Sequence, residues 1–194
     1  MDMANSYHLL GDANIVLVGF MGTGKTSTGR ALAARLGREF VDMDAVIEER
    51  ERRSIPRIFA ESGEPYFRAL ERCLTRELAG RRNLVIAPGG GIVLNPDNIR
   101  DFAAGGWVVA LRASPEMILQ RVGQDTSRPL LQTDDKLGRI RELLLKRRPL
   151  YDAIPIQIDT DGKTPEAVAN EILDRLLRLA AAGNFPSGHT PRAS

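Results

Sequence analysis

Cysteine and histidine are scarce in this sequence, and their scarcity excludes several kinds of chemistry. Among 194 residues Cys73 is the only cysteine, so no internal disulfide can form, which is typical of a protein of the reducing cytoplasm. The two histidines, His8 and His189, both lie in the terminal segments, which argues against a zinc site or a histidine-dependent triad. Any catalysis must therefore depend on carboxylates, arginine, lysine, hydroxyls and backbone amides.

Long apolar runs and a large net charge are also missing. No stretch approaches the ~18–20 consecutive apolar residues that a membrane span needs, and the first residues lack the basic start and apolar core of a secretory signal. Lysine and arginine together number 27 against 25 acidic residues, which gives a net charge of +2. This balance argues against nucleic acid or an anionic membrane as a partner.

The basic residues are divided unevenly between the two types. Arginine accounts for 23 of them, and the four lysines are Lys25, Lys136, Lys146 and Lys163. Genomic base composition is the simplest explanation of this skew. Most of the arginines are therefore expected to be solvated surface charges.

Short apolar runs alternate with longer amphipathic segments along the middle of the chain. The runs predict strands at Asn14–Val18, Glu39–Asp42, Leu84–Ala87, Gly106–Leu111 and Ile154–Ile158. The amphipathic segments predict helices at Thr26–Gly37, Ala45–Arg53, Glu64–Ala79, Pro115–Val122 and Pro165–Ala180. This alternation predicts one α/β domain over residues 14–180, with a parallel sheet covered by helices on both faces.

Three further expectations concern the ends of the chain and its cysteine. Residues 1–13 form an N-terminal extension that is expected to be loosely attached. The tail at 181–194 is rich in small residues, glycine and proline, and is expected to be disordered. Cys73 stands at helical spacing among leucines, so its thiol is expected to be buried and structural rather than nucleophilic.

The strongest local motif follows the first predicted strand. Residues 19–26 read GFMGTGKT and match G-x-x-x-x-G-K-[ST] between a strand and a helix. The glycines let backbone N–H groups surround phosphate oxygens, and the helix N-terminus adds partial positive charge. Lys25 can reach the β- and γ-phosphates, while the Thr26 hydroxyl can bind Mg²⁺. The residues expected to contact ATP here are Gly22, Thr23, Gly24, Lys25, Thr26 and Ser27.

An acidic pair, Asp42 and Asp44, stands at the end of the second predicted strand. Carboxylates at i and i+2 on a strand end project the same way. One can help to hold magnesium while the other accepts a proton from a substrate hydroxyl. Capping of the following helix is an equally good explanation of the pair.

Three separated arginines and a run of glycines complete the set of candidate residues. Arg68 is followed three residues later by Glu71, on the same helix face, and Arg128 and Arg147 stand in R-P-L-L and K-R-x-P-L-Y. Taken singly, each arginine is more often a surface charge. Gly89–Gly91 directly after a buried strand indicates close approach of the backbone to a ligand.

Together these motifs resemble the shikimate kinase family. The matching pieces are GFMGTGKT, D-x-D, F-R-x-x-E, GGG, R-P-L-L and K-R-x-P-L-Y, in family order from about Asn14 to Leu177. The resemblance implies a three-layer α-β-α P-loop kinase fold with a five-stranded parallel sheet in the order 2-3-1-4-5. It also implies ATP-dependent phosphorylation of the 3-hydroxyl of shikimate, in aromatic amino acid biosynthesis, with Mg²⁺ as cofactor. A monomer is expected, because no dedicated apolar interface is evident.

On the acceptor side, the resemblance implies a role for each candidate residue. Asp44 would hold the shikimate hydroxyl and accept its proton. Arg68 and Arg147 would clamp the carboxylate, with Glu71 orienting Arg68. The glycines Gly89, Gly90 and Gly91 would offer backbone contact to the substrate.

On the nucleotide side, the resemblance implies a second set of roles. Thr26 would bind magnesium, with Asp42 helping to hold its water shell. Arg121 and Pro165 would flank the adenine. Arg128 would act with Lys25 on the phosphates, reaching them from a lid at about residues 123–135, for which an ordinary surface loop is the alternative interpretation.

Two other functions stay open at this point. A gluconate-type or nucleoside-monophosphate-type kinase could use the same scaffold, although the set of Asp44, Arg68 and Arg147 suits a small hydroxylated carboxylate better than a nucleobase. A module that binds ATP without catalysis is the second alternative, against which the intact Asp44, Lys25 and Arg128 speak.

Overall fold

The computed structural model describes residues 7–123 and 133–186, and within them five β-strands alternate with seven α-helices. The strands are β1 Asn14–Gly19, β2 Glu39–Asp42, β3 Leu84–Ala87, β4 Gly106–Arg112 and β5 Ile156–Asp159. The helices are α1 Lys25–Leu36, α2 Met43–Glu51, α3 Ile55–Ala79, α4 Pro96–Gly105, α5 Pro115–Val122, α6 Lys136–Asp152 and α7 Pro165–Ala181. Short 3-10 helices occupy Tyr7–Leu10 and Ile92–Leu94.

The five strands form one parallel sheet in the order β2-β3-β1-β4-β5. At its centre Val16 of β1 is in register with Ile86 of β3 and Val108 of β4. The parallel sheet agrees with the strand–helix alternation of the sequence, and its order agrees with the one that the family resemblance implied. Because all strands run the same way, their carboxyl ends meet at one edge, where ligands gather in such folds.

The hydrophobic core is divided by the sheet into two layers. All six residues of β1 are buried. Ile15 and Leu17 pack with α1, α7 and the first 3-10 helix, whereas Val16 and Val18 pack with the remaining helices. Continuous apolar strands of this kind require cover on both faces. The three-layer architecture is therefore confirmed.

Two helices and part of a third were not predicted from the sequence. Helix α6 mixes apolar and charged residues around its circumference and contains Pro149, so its apolar periodicity is weak. Helix α4 does carry a start signal, because Asn95 precedes Pro96 and its side chain accepts a hydrogen bond from the N–H of Asp97 at 3.0 Å. In α3, Gly63 has φ 80° and kinks the helix, so the prediction captured the second half alone.

Cys73 is exposed, so the expectation of a buried thiol is wrong. The buried face of α3 carries Glu71, Leu74, Thr75 and Leu78. Cys73 precedes Leu74 by one residue, which turns it about 100° away from that face. The leucines near it in the sequence, Leu70, Leu74 and Leu78, are buried or partly buried, whereas Cys73 is exposed.

The N-terminal segment is more firmly held than expected. Leu10 is fully buried against the α7 side of the core. The Arg38 guanidinium donates to the carbonyl oxygens of Ala13 at 2.6 Å and Gly11 at 2.8 Å. Residues 7–13 are therefore part of the packed domain, and loose attachment is wrong for them. Residues 1–6 lie outside the described residues.

The described start of the C-terminal tail packs on the sheet. The ring of Phe185 lies 6.3 Å, centroid to centroid, from that of Trp107 on β4. The sequence instead favoured a tail without fixed structure from Ala181 onward. Residues 187–194, the rest of that tail, lie outside the described residues. No helix in the described ranges combines the length and apolar composition that a bilayer crossing needs.

Candidate active site

A cleft of about 1100 Å³ opens at the carboxyl edge of the sheet. The loops after β1, β3 and β5 and the start of α2, directly after β2, all contribute to its walls. It brings together every described residue that the sequence placed in a site. These are Gly22, Thr23, Gly24, Lys25, Thr26, Ser27, Asp42, Asp44, Arg68, Glu71, Gly89, Gly90, Gly91, Arg121, Arg147 and Pro165. Arg128 and most of the predicted lid, residues 124–132, lie outside the described residues.

The phosphate-binding loop joins β1 to α1. Gly22 and Gly24 have φ of 76° and 86°, a conformation that residues with a side chain rarely adopt, and Gly24 directly precedes α1. The Lys25 ammonium donates to the carbonyl oxygens of Gly19 and Phe20, both at 3.0 Å. The loop therefore places backbone N–H groups, a helix N-terminus and one ammonium at the same side of the cleft, which suits a polyphosphate.

Asp42 caps the helix that follows it and also contacts the phosphate-binding loop. Its Oδ1 accepts from the backbone N–H groups of Asp44 at 3.2 Å and Ala45 at 3.4 Å, which caps α2. Its Oδ2 accepts from the Thr26 hydroxyl at 2.9 Å. This hydroxyl and carboxylate offer the hard oxygen ligands that Mg²⁺ prefers, and few protein ligands suffice because the ion keeps several waters. The donor set therefore fits Mg²⁺ bound together with phosphates.

The three glycines after β3 each make room for a different part of the site. A Cβ on Gly89 would lie 2.7 Å from Asp44 Oδ1 and 3.0 Å from Glu71 Oε1. A Cβ on Gly90 would lie 3.1 Å from the backbone N of Met21, in the phosphate-binding loop, and one on Gly91 would overlap the Arg68 guanidinium. The close approach expected of this loop thus involves the protein's own functional groups.

Arg147 approaches the glycine loop from α6. Its side chain is nearly buried, at 7% exposure; its Nη1 donates to the Gly90 carbonyl at 3.2 Å, and its guanidinium lies 5.7 Å from the centroid of the Phe20 ring. The Tyr151 hydroxyl donates to the same carbonyl at 2.7 Å. Burial raises the pKa of Tyr151 to about 12, so it remains a neutral phenol. Tyr151 belongs to the K-R-x-P-L-Y motif, but the sequence assigned it no role.

Arg68 and Glu71 form a second charged group below the glycine loop, on α3. Arg68 Nη1 donates to Glu71 Oε2, while its Nε and Nη2 donate to Glu64 Oε1 at 3.1 and 2.8 Å. Glu71 is 1% exposed. Burial, with a smaller contribution from the nearby Asp44, raises the pKa of Glu71 to about 7 against the opposing effect of Arg68.

Arg121 connects two loops at one end of the cleft. Its Nη1 donates to the Gly22 carbonyl at 3.1 Å and to the Thr160 hydroxyl at 3.0 Å, and its Nη2 donates to the Thr160 carbonyl at 2.8 Å. Pro165 begins α7 close by, also in the cleft wall. Arg121 therefore connects the phosphate-binding loop to the loop after β5.

Sequence reasoning missed an aromatic part of the cleft wall. The rings of Phe59 and Phe67 pack against each other at a tilt of 44°, with centroids 5.0 Å apart, and both line the cleft. Phe67 stands in the F-R-x-x-E motif, which could have indicated it. Phe59 lies on the half of α3 before the Gly63 kink, and no motif singled it out.

Comparison with known proteins gives one consistent family. A family model described as shikimate kinase matches residues 21–177. The shikimate kinase of Thermodesulfovibrio yellowstonii is 46% identical over 167 residues, covering 86% of this chain and 96% of the relative. That of Thermus thermophilus is 45% identical over 169 residues, covering 87% of this chain and 92% of the relative.

Solved structures agree with the sequence relatives. The shikimate kinase from Acinetobacter baumannii in complex with shikimate matches with a TM-score of 0.85 and 40% identity, over 89% of this chain and 97% of that one. A gluconokinase from Sinorhizobium meliloti, at 19% identity and a TM-score of 0.58, shares the fold. With its site geometry, its family match and relatives that align over most of both chains, this chain belongs to the shikimate kinase family.

Proposed function

We propose that this chain transfers the γ-phosphoryl group of ATP to the 3-hydroxyl of shikimate. The observation that carries the proposal is that one cleft holds both a phosphate-binding loop and a set of two arginines and a carboxylate, namely Arg68, Arg147 and Asp44. Two guanidinium groups suit a carboxylate, and a carboxylate suits a hydroxyl that must lose its proton. The solved relative in complex with shikimate supports the same acceptor.

On the acceptor side, the two arginines converge on adjacent residues of the glycine loop. Arg147 contacts Gly90, and Arg68 closes against Gly91. A substrate carboxylate placed over the loop would bridge both guanidinium groups. The Asp44 carboxylate, which lines the cleft beside Gly89, would then accept the proton of the substrate hydroxyl as it attacks phosphorus. Fixing both ends of the acceptor restricts it to the in-line geometry that phosphoryl transfer needs.

On the nucleotide side, the loop from Gly22 to Ser27 would bind the phosphates, with Lys25 moving from the loop carbonyls to the β- and γ-phosphates. Arg121 and Pro165 would flank the adenine. Mg²⁺, held by Thr26 and through water by Asp42, would neutralise charge on the phosphates. Arg128 would add a second cationic side chain, beside Lys25, at the phosphates. We propose this role on the R-P-L-L motif alone.

The proposed function is tested by measuring ADP release with different acceptors. Shikimate, gluconate and nucleoside monophosphates are supplied separately with MgATP, and turnover is expected with shikimate. Faster turnover with another acceptor would favour the related-kinase alternative. Tight ATP binding without turnover on any acceptor would instead favour the ATP-sensing module.

Replacing Arg147 by lysine is expected to weaken shikimate binding by roughly tenfold or more, although the charge is kept. Lysine cannot form a bidentate pair with a carboxylate, and its shorter reach abandons the Gly90 carbonyl. The dissociation constant for shikimate is measured by calorimetry, and that for ADP should stay unchanged. The control is Arg148→Lys, since Arg148 is exposed and pairs with Asp152 at 3.3 Å. Equal shikimate affinity in the Arg147 variant and the control would contradict the clamp.

The monomeric state and the cytoplasmic location stay predictions from the sequence.

A further inference from the structure

We propose that Glu71 takes up a proton when the carboxylate of shikimate binds to Arg68, so that acceptor binding is coupled to pH. The proposal rests on the proposed function, because it requires that Arg68 receives a carboxylate. It assigns Glu71 a role beyond orienting Arg68.

The first argument is the incomplete pairing of the Glu71 carboxylate. Its Oε2 is bonded by Arg68 Nη1, but its Oε1 is buried and has no hydrogen-bond partner among the described residues. A buried carboxylate oxygen without a donor costs free energy that protonation of the group removes. The carboxylate is thus held in its charged form chiefly by one guanidinium.

The second argument is the crowding of like charge at Gly89. Glu71 Oε1 and Asp44 Oδ1 both lie within 3.0 Å of the same point beside Gly89, where a Cβ would stand. Glu64, on the exposed side of α3, adds a third carboxylate that shares Arg68. Two carboxylates, Glu64 and Glu71, therefore share the Arg68 guanidinium, and a third, Asp44, lies beside Glu71 before any substrate arrives.

The charged groups that face this cluster come from three elements. Helix α3 supplies Arg68 and Glu64, and α2 supplies Asp44. Across the glycine loop, α6 supplies Arg147, whose guanidinium is bonded to the Gly90 carbonyl. Tyr151, also from α6, stays neutral at any ordinary pH. In the part of the chain that the structure describes, Arg68 is the cation that contacts the Glu71 carboxylate.

The direction of the coupling follows from this arrangement. A substrate carboxylate at Arg68 competes with Glu71 for the guanidinium that holds Glu71 ionised, and it adds a further negative charge nearby. The pKa of Glu71, already raised by burial to about 7, must rise further in the complex. Between these two values the complex holds a proton that the free protein lacks. Shikimate affinity is therefore highest below about pH 7 and falls above it, by at most about tenfold per pH unit.

Calorimetry in buffers of different ionisation enthalpy tests the coupling. Shikimate is titrated into the full chain at pH 7.5–8, with and without saturating MgADP. A heat that depends on the buffer gives the number of protons taken up, which we expect to be a large fraction of one. Binding with no buffer dependence would overturn the inference and leave the proposed function intact. Failure of shikimate to bind under either condition would count against the proposed function itself.

A matched pair of variants assigns the proton to Glu71. Glu71→Gln keeps an oxygen for Arg68 but cannot titrate, so proton uptake and the decline of affinity above about pH 7 should both disappear. Glu64→Gln removes the other, half-exposed partner of Arg68, and proton uptake should persist. Uptake that persists in the Glu71 variant, or disappears in the Glu64 variant alone, would overturn the assignment.

A direct measurement on the unmodified chain covers the case in which the Glu71 variant fails to fold. Difference infrared spectroscopy at pH 8 should show a protonated carboxyl C=O band appearing on addition of shikimate. At pH 6, where Glu71 already carries its proton in the free protein, the band should not grow. Growth of equal size at both pH values, or none at pH 8, would overturn the proposal.

Discussion

Replacing Asp44 by asparagine is expected to lower kcat by about 10²- to 10⁴-fold. Asparagine fills the same space beside Gly89 but cannot accept the proton of the attacking hydroxyl. ATP binding should be nearly unaffected, because Asp44 contributes no group to the phosphate-binding loop. The measurements are kcat with saturating shikimate and the dissociation constant of MgADP. A kcat within a few-fold of the original would contradict the proton-acceptor role.

The matched control for this prediction is Glu49→Gln on the same helix. Glu49 is an exposed carboxylate of α2 that faces away from the main cleft. Its neutralisation removes the same charge from the same element, so any general electrostatic effect of α2 on the phosphates would appear in both variants. A loss of kcat in the Asp44 variant alone would assign the effect to the reacting hydroxyl.

Replacing Gly89 by alanine is expected to cost about 10²-fold in kcat, because displacement of reacting groups by about 1 Å has effects of this size. Gly89 does not adopt a left-handed backbone conformation, so alanine introduces no backbone strain. Its Cβ would instead press on Asp44 Oδ1 and Glu71 Oε1. Both carboxylates must shift, which displaces the proton acceptor and the partner of Arg68 together. Steady-state kinetics with varied shikimate should show a lower kcat and a higher KM.

The matched control is Gly80→Ala, at the end of α3. Gly80 has φ −77° and ψ −15°, and a Cβ there would meet the Glu77 carbonyl at an ordinary 3.5 Å. Kinetics should be unchanged in this variant. If Gly89→Ala were as active as the control, the tight packing of the two carboxylates around the loop would have no catalytic role.

Local sequence patterns predicted the strands of the sheet well, because the apolar composition of each strand is visible within the strand itself. A run such as LVIA at residues 84–87 is apolar throughout and must be covered on both faces. The same reasoning fails for α6, whose buried residues include Arg147 and Tyr151. Their burial depends on the Gly90 carbonyl, which is brought there by a distant part of the chain. Contacts between residues this far apart in the chain produce no apolar periodicity in the sequence of α6.

The candidate site was predicted from sequence motifs. Motifs identify the functional side chains, but they do not give the burial of those side chains or their neighbours in space. The acidic pair allowed two interpretations, helix capping and metal binding. The structure shows that Asp42 both caps α2 and accepts a hydrogen bond from Thr26. The sequence placed Glu71 next to Arg68, but not its burial or its closeness to Asp44. Those two facts raise its pKa, and neither is a property of α3 alone.

The packing of Phe185 on Trp107 has a practical consequence for the variants above. Trp107 is the only tryptophan of the chain and is the second residue of β4, so about five residues, or about 16 Å of strand, separate it from the carboxyl edge. Intrinsic fluorescence excited at the indole therefore reports the integrity of the sheet and the packing of Phe185 against it, and not the occupancy of the cleft. The chain carries its own optical check of folding. A variant that loses turnover while keeping its tryptophan emission has been damaged in its chemistry and not in its architecture.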